Sequence, residues 1–499
     1  MTILLRSSLR TNILFKYLNL FLSVASGILL VPFYLSHLSI HEYGAWLAVG
    51  SFATWFAAMD PGIANLLIQK VSHSLGEGNR KALIGYVVAG FSISLLVAIT
   101  VLSLGYYLSP EVISWFGIKS VNNTQLISAF RLAVASTATM ILAFAFIGVI
   151  QGMHNSFVAG LLVTLGGIIK IGMVVILFTC DYGLLALPMA EFSAALLMLA
   201  GAAIFLAVAY RTKLVAAQLH FARLSEFLGL FAYSFGARLG KIITGNLDGV
   251  LIARLIGADQ VAIYSLTATV PRQAENLINQ PIAAFRPTLA YLSANASTDR
   301  LAQHIERMLR WILWLSGWVL AGLISLNGDF VRLWVGSTNF AGPEVAMALA
   351  LLFWMRVWTN STGTIGFSLG DIRRNSLAEW AYSLLLIPAL IAGAMWWGLL
   401  GIAVAHIVVQ LFTMAWYFPW SIWRRMQWRG KVTFGILTEG LLTIAAIGLA
   451  FLSCPTADSW PQFVLSSLSL TAIYFFVLCV ISSSLRREMV HLWKSFVNK

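Results

Sequence analysis

Fourteen apolar runs, each about 20 residues or longer, decide what this chain can fold into, because a helix of that length crosses a hydrocarbon core. The first seven lie near Asn12–Leu35, Tyr43–Leu67, Leu83–Leu108, Ile127–Ile150, Phe157–Thr179, Leu184–Tyr210 and Phe227–Ile252. The others lie near Val261–Tyr291, Met308–Leu326, Val345–Leu369, Leu377–Met395, Leu399–Trp420, Val432–Leu452 and Phe463–Leu485. The runs are continuous, whereas a membrane β-barrel shows short alternating segments. With 59% hydrophobic and 10% charged residues, the chain lacks the polar surface of a soluble fold of 499 residues. The first run follows Arg6 and Arg10 as a signal peptide would, but its length and the lack of a cleavage site make it an uncleaved first helix.

Loop charge sets the orientation. With the N-terminus in the cytoplasm and strict alternation, about 22 Lys and Arg fall on the inner side, among them Lys70, Arg80, Arg300, Arg373, Arg424 and Arg486. The outer side holds about 3, namely Lys119, Arg254 and Arg332. Both termini are expected to be cytoplasmic. The net charge of +13 is therefore a product of topology and not a nucleic-acid footprint. Trp46, Trp115, Trp334, Trp396, Trp397, Trp420 and Trp460 fall near span ends, where Trp ordinarily anchors at the interface. Cys180, Cys454 and Cys479 show no metal spacing and read as buried free thiols.

The two halves echo each other. Val112-Ile113-Ser114-Trp115-Phe116-Gly117 resembles Val331-Arg332-Leu333-Trp334-Val335-Gly336, and Ile147-Gly148 with Gly152 resembles Ile365-Gly366 with Gly370. Gly183-Leu184-Leu185 with Ala190-Glu191 resembles Gly398-Leu399-Leu400 with Ala405-His406. The offsets stay near 215–219 residues and span six helices, so the copies are parallel repeats. The expected fold is an all-α integral membrane protein with about 14 transmembrane helices in two six-helix lobes around a central cavity. Residues 1–215 form the N-lobe, 216–425 the C-lobe, and 426–499 a C-terminal helix pair.

Charges inside spans are costly and usually face a partner or a cavity. Arg238, Lys241 and Asp248 share one face of the seventh helix, and Arg272, Glu275, Asn279 and Arg286 one quadrant of the eighth. Pro271, Pro281 and Pro287 are expected to interrupt that eighth helix, and broken helices line cavities. Arg131, Arg286, Glu379 and Glu439 lie near span ends, where they can snorkel. Two readings stay open: internal ion pairs such as Lys241–Asp248 or Arg272–Glu275, or a cationic chamber for an anionic ligand. On the second, Arg238, Lys241, Arg272 and Arg356, with Lys170, bind phosphate through forked hydrogen bonds and charge. Asp60, Asp248 and Glu275 then balance charge or couple to an ion. No phosphate loop, zinc motif, nucleophile elbow or soluble nucleotide domain is present, so no cofactor is expected. The energy source is then an ion gradient, the membrane potential or the substrate's own gradient.

The stretch Val31-Pro32, Glu42-Tyr43-Gly44-Ala45-Trp46 and Met59-Asp60-Pro61-Gly62-Ile63-Ala64-Asn65, followed by Gly76-Glu77-Gly78-Asn79, resembles the start of bacterial Wzx-type polysaccharide flippases. These belong to the multidrug/oligosaccharidyl-lipid/polysaccharide (MOP) exporter superfamily. The resemblance implies alternating access in the bacterial inner membrane. The implied substrate is an oligosaccharide on undecaprenyl pyrophosphate, destined for O-antigen, capsule or exopolysaccharide. Implied partners are membrane lipids, a proton or sodium ion, and a polysaccharide polymerase. Pro61 in the Asp-x-Gly motif is expected to bend the second helix. The alternatives within the superfamily are a multidrug or metabolite exporter of the MATE type and a flippase for lipid II. A polymerase or ligase fits poorly, since the outer loops are short and poor in Arg and His.

Overall fold

A computed structural model describes residues 2–60, 62–118, 123–209, 244–295, 298–426 and 430–497. Among these residues the chain is helical almost throughout and has no strand. In lipid only a helix or a closed barrel satisfies every backbone N–H and C=O, and these apolar runs take the first solution. The helices are α1 (Thr2–His37), α2 (Ile40–Ala57), α3 (Ile63–Gly76), α4 (Arg80–Phe116), α5 (Asn123–Gly152), α6 (Ser156–Thr179) and α7 (Ala186–Ala209). A helical segment at 244–255 counts as α8. Next come α9 (Ala258–Asn295), α10 (Thr298–Val335), α11 (Pro343–Ser368) and α12 (Ile372–Phe412). The last four are α13 (Met414–Met426), α14 (Gly430–Leu452), α15 (Trp460–Ile481) and α16 (Ser483–Val497).

Nine helical stretches among the described residues are long and apolar enough to cross a membrane. Physical causes account for the difference from fourteen. The second run is broken between Ala57 and Ile63; Pro61, expected to bend it, lies outside the described residues. The run at 227–252 lies partly outside the described residues, and α9 and α11 carry too many polar residues to qualify by composition. Two further runs merge in α12, where Gly398 (φ 56°, ψ −132°) turns the chain within what is otherwise continuous helix. Gly393 and Gly401 lie backbone against backbone across that turn, so α12 is a hairpin of two helices. The eighth run departs from expectation: α9 is one uninterrupted helix of 38 residues despite Pro271, Pro281 and Pro287. A proline removes only one intrahelical bond, and the flanking turns hold the helix together.

Contacts divide the chain into two compact units, Met1–Ala262 and Ile263–Lys499. The expected boundary at residue 215 lies outside the described residues. In the first unit α5 packs against α7, α4, α3 and α2. Its small residues allow close approach: a side chain on Gly148 would meet the α3 backbone at Ala64. Gly44 of the Tyr-Gly pair lies against the Ala258 carbonyl at the start of α9, where no Cβ fits. In the second unit α10 is the hub, packing on α11, α14 and α15. There Glu439 is 4% exposed and accepts from Trp314 Nε1 (3.1 Å) and the Ser482 hydroxyl (2.8 Å). It therefore does not snorkel; it fastens the C-terminal helices to α10.

The repeated motifs recur at equivalent helix ends. Gly117 and Gly336 both follow a long helix with positive φ (65° and 94°), as do Gly183 and Gly398 before the next helix (54° and 56°). Of the seven span-end tryptophans, Trp46 and Trp334 are buried in protein and the other five are exposed. Cys180 is exposed, against expectation, and all three thiols are free. Outside the spans, burial and then the nearby Asp329 carboxylate push the Cys454 thiol above its usual value, so it stays protonated.

Candidate substrate site

The second unit gathers a polar cluster around Arg356. Arg356 lies midway along α11, about 18–20 Å from either end at 1.5 Å per residue. Glu275, near the middle of α9, approaches it with Oε2 3.8 Å from Nη1. Asn360, one turn further along α11, donates from Nδ2 to the other carboxylate oxygen at 3.1 Å. On its far side Arg356 Nη2 lies 3.3 Å from His406 Nδ1, and the Tyr382 hydroxyl is 2.6 Å from the same nitrogen. A guanidinium has no acceptor, so in this contact Arg356 donates to His406 Nδ1. Tyr382 and His406 come from the two arms of the α12 hairpin, so the turn at Gly398 is what brings them together. His406 is 1% exposed, while the Arg356 side chain keeps about a quarter of its surface (23%).

The arrangement suits a held but exchangeable cation. At 3.8 Å the Arg356–Glu275 contact is Coulombic and longer than a hydrogen bond. An anion presenting two oxygens to the guanidinium fork would improve on it. Arg272, one turn before Glu275 on α9, is exposed and lies over the Tyr264 ring at 6.0 Å.

The other expected site residues fall elsewhere. Arg238 and Lys241 lie outside the described residues. Lys170 is in the first unit, and its Nζ is 2.7 Å from Glu191 Oε1 in a half-exposed ion pair. Asp248 is buried in the first unit at 5% exposure. Asp60 Oδ1 accepts from the Gly62 and Ile63 N–H groups, both at 3.0 Å, and so caps α3. Gly62 stands beside it with φ 93°, which gives the Asp-x-Gly motif a local structural cause. The structure thus brings Arg356 and Glu275 together and sets Arg272 nearby. Tyr382 and Asn360 are additions that the sequence did not mark. His406 had a signal: it matches Glu191 in the repeat, and each contacts a basic side chain, Arg356 or Lys170.

Nine helices among the described residues, each long and apolar enough to cross a membrane, define a multi-pass membrane protein. The solved lipid II flippase MurJ, in its inward closed conformation, superposes with a TM-score of 0.73 at 14% identity, covering 96% of this chain and 99% of that one. An inward-facing multidrug resistance MATE family transporter of the MOP superfamily gives 0.70 at 14% identity, over 82% and 94%. The chain belongs to the polysaccharide biosynthesis protein family, whose pattern matches residues 13–293. The teichuronic acid biosynthesis protein TuaB of Bacillus subtilis (strain 168) is 22% identical over 173 residues, and the match covers 34% of each chain. It thus spans about a third of that relative's length.

Proposed function

We propose that the chain is a flippase that moves oligosaccharide linked to undecaprenyl pyrophosphate across the bacterial inner membrane for surface polysaccharide synthesis. The observation that carries this reading is Arg356, a cation midway along α11 that meets Glu275 at 3.8 Å and His406 at 3.3 Å, in a member of a polysaccharide biosynthesis family. A pyrophosphate takes over the Arg356 fork from Glu275, and Arg272 on the same helix as Glu275 adds a second positive charge. Arg238, Lys241 and Lys170 are further basic contacts along the route. Alternating access moves the head group, while the lipid tail stays in the bilayer. Glu275, released from Arg356, and Asp248 are the carboxylates suited to coupling with a proton or sodium ion; Asp60 contributes charge at the α3 cap. Both termini lie in the cytoplasm, and a polysaccharide polymerase receives the product at the outer face.

Arg356→Ala and Arg272→Ala, each at wild-type protein level, are expected to abolish or strongly reduce surface polysaccharide, with lipid-linked precursor accumulating inside. Normal polymer in both variants would remove these residues from the site. The likeness to a MATE fold supports a second reading, a multidrug exporter. A deletion strain that is drug-sensitive with intact surface polymer would favour it.

A further inference from the structure

We infer that the C-terminal helix α16 is an interfacial anchor whose exposed basic face, beginning at Ser483, Arg486 and Arg487, holds the phosphate head group of an anionic phospholipid. The helix starts one residue after the membrane-length α15 ends, and Ser482, extended at φ −93° and ψ 110°, makes the turn between them. With no linker, α16 lies where α15 leaves the hydrocarbon. Ser482 caps it by accepting from Leu485 N–H at 3.1 Å, so its first turn is fixed in place.

Its three sectors differ in chemistry. Buried Ser484 and Leu485, with half-buried Glu488, face the protein: Arg310 donates to the Ser484 hydroxyl at 3.2 Å, and Arg307 pairs with Glu488 at 2.5 Å. At 100° per residue, Ser483, Arg486, Arg487, Val490 and Lys494 share about 100° of arc on another side. The resolved exposures agree, since all five are exposed. Between these sectors lie Met489 and Trp493, 50% and 71% exposed. A basic sector flanked by an exposed apolar one, on a helix continuous with a membrane span, is the pattern of a helix lying in the head-group plane.

Ser483, Arg486, Arg487 and Val490 line an open surface depression, accessible from outside to a phosphodiester head group. Arg486 is held rigidly there, because Nη1 donates to the Cys479 and Val480 carbonyls at 2.8 and 2.6 Å, the last turn of α15. Arg487 Nε donates to the Ser483 carbonyl at 3.3 Å. The positive end of the α16 dipole adds to these charges. Zwitterionic lipid would satisfy the apolar sector equally well, so the charge pattern is what selects an anionic head group. The inference stands apart from the substrate reading, since it involves none of the residues around Arg356.

The test uses the full chain in lipid nanodiscs carrying a photoactivatable phosphatidylglycerol or, separately, a photoactivatable phosphatidylcholine, with adducts mapped by mass spectrometry. Label on residues 483–497 from phosphatidylglycerol is expected to exceed that from phosphatidylcholine several-fold. The double variant R487Q/K494Q leaves the Arg486 bonds to α15 in place. It is expected to lower that label several-fold at low salt, to near the phosphatidylcholine level, since each basic residue at the surface contributes about fivefold. R487K/K494R, which keeps both charges, should label like the wild type and so separates charge from folding. Equal labelling by the two probes, or undiminished phosphatidylglycerol label in R487Q/K494Q, would overturn the inference. So would protection of this face by a bound protein with no lipid adduct.

Discussion

Arg356 and Glu439 show two different uses of a charge in a membrane protein. Arg356 meets its carboxylate at 3.8 Å and keeps part of its surface, an arrangement that can be exchanged. Glu439 is buried under two donors, the Trp314 indole and the Ser482 hydroxyl, an arrangement that fixes structure. Glu439→Ala leaves both donors buried without an acceptor, which costs about 2–4 kcal/mol in total. A lower melting temperature in detergent is expected, with Glu439→Gln much less affected because its amide oxygen still accepts. A melting temperature for Glu439→Ala equal to wild type would show that the latch carries no stability.

Among the elements, α2 tests the packing account most cleanly because two of its glycines differ only in surroundings. Gly44 abuts the Ala258 backbone, whereas nothing lies within 4 Å of a Cβ built on Gly50. Gly44→Ala forces α2 away from the start of α9 and is expected to destabilise by about 1–3 kcal/mol. Gly50→Ala is expected to be neutral or to stabilise by up to about 1 kcal/mol, since it removes backbone entropy from the unfolded helix. Thermal unfolding of the two variants side by side decides the matter. The helices themselves were legible from the apolar runs, and the repeat was legible because positive-φ glycines such as Gly117 and Gly336 mark helix ends in both halves. The inner face of each helix was not, because a span that is apolar all round carries no stripe to say which side packs. Glu439 therefore reads from the sequence as a span-end charge, whereas in the structure it is a buried latch. The prolines of α9 misled for a related reason: each removes only one intrahelical bond, and the flanking turns keep the long helix whole.

Across the whole molecule, the fold was readable because membrane insertion imposes rules on every segment at once: span length, loop charge and even spacing of repeats. The family was readable from the Tyr43-Gly44 and Asp60-Pro61-Gly62 motifs. The site was readable only in part. Arg356, Glu275 and His406 stand out as charged or titratable residues within apolar sequence. Their association joins α9, α11 and α12 over 131 positions, and no local pattern encodes it. Tyr382 and Asn360 gave no signal, being ordinary residues of amphiphilic or polar character within spans. The central claim is that the Arg356 fork carries a phosphate-bearing head group through the membrane. The most direct measurement is translocation of undecaprenyl-pyrophosphate-linked oligosaccharide in proteoliposomes containing the purified chain. Wild type is expected to move it, Arg356→Ala to slow it at least about tenfold, which corresponds to one lost charge-assisted contact of about 1.4 kcal/mol or more, and Arg356→Lys to fall between. Translocation by Arg356→Ala at the wild-type rate would contradict the account.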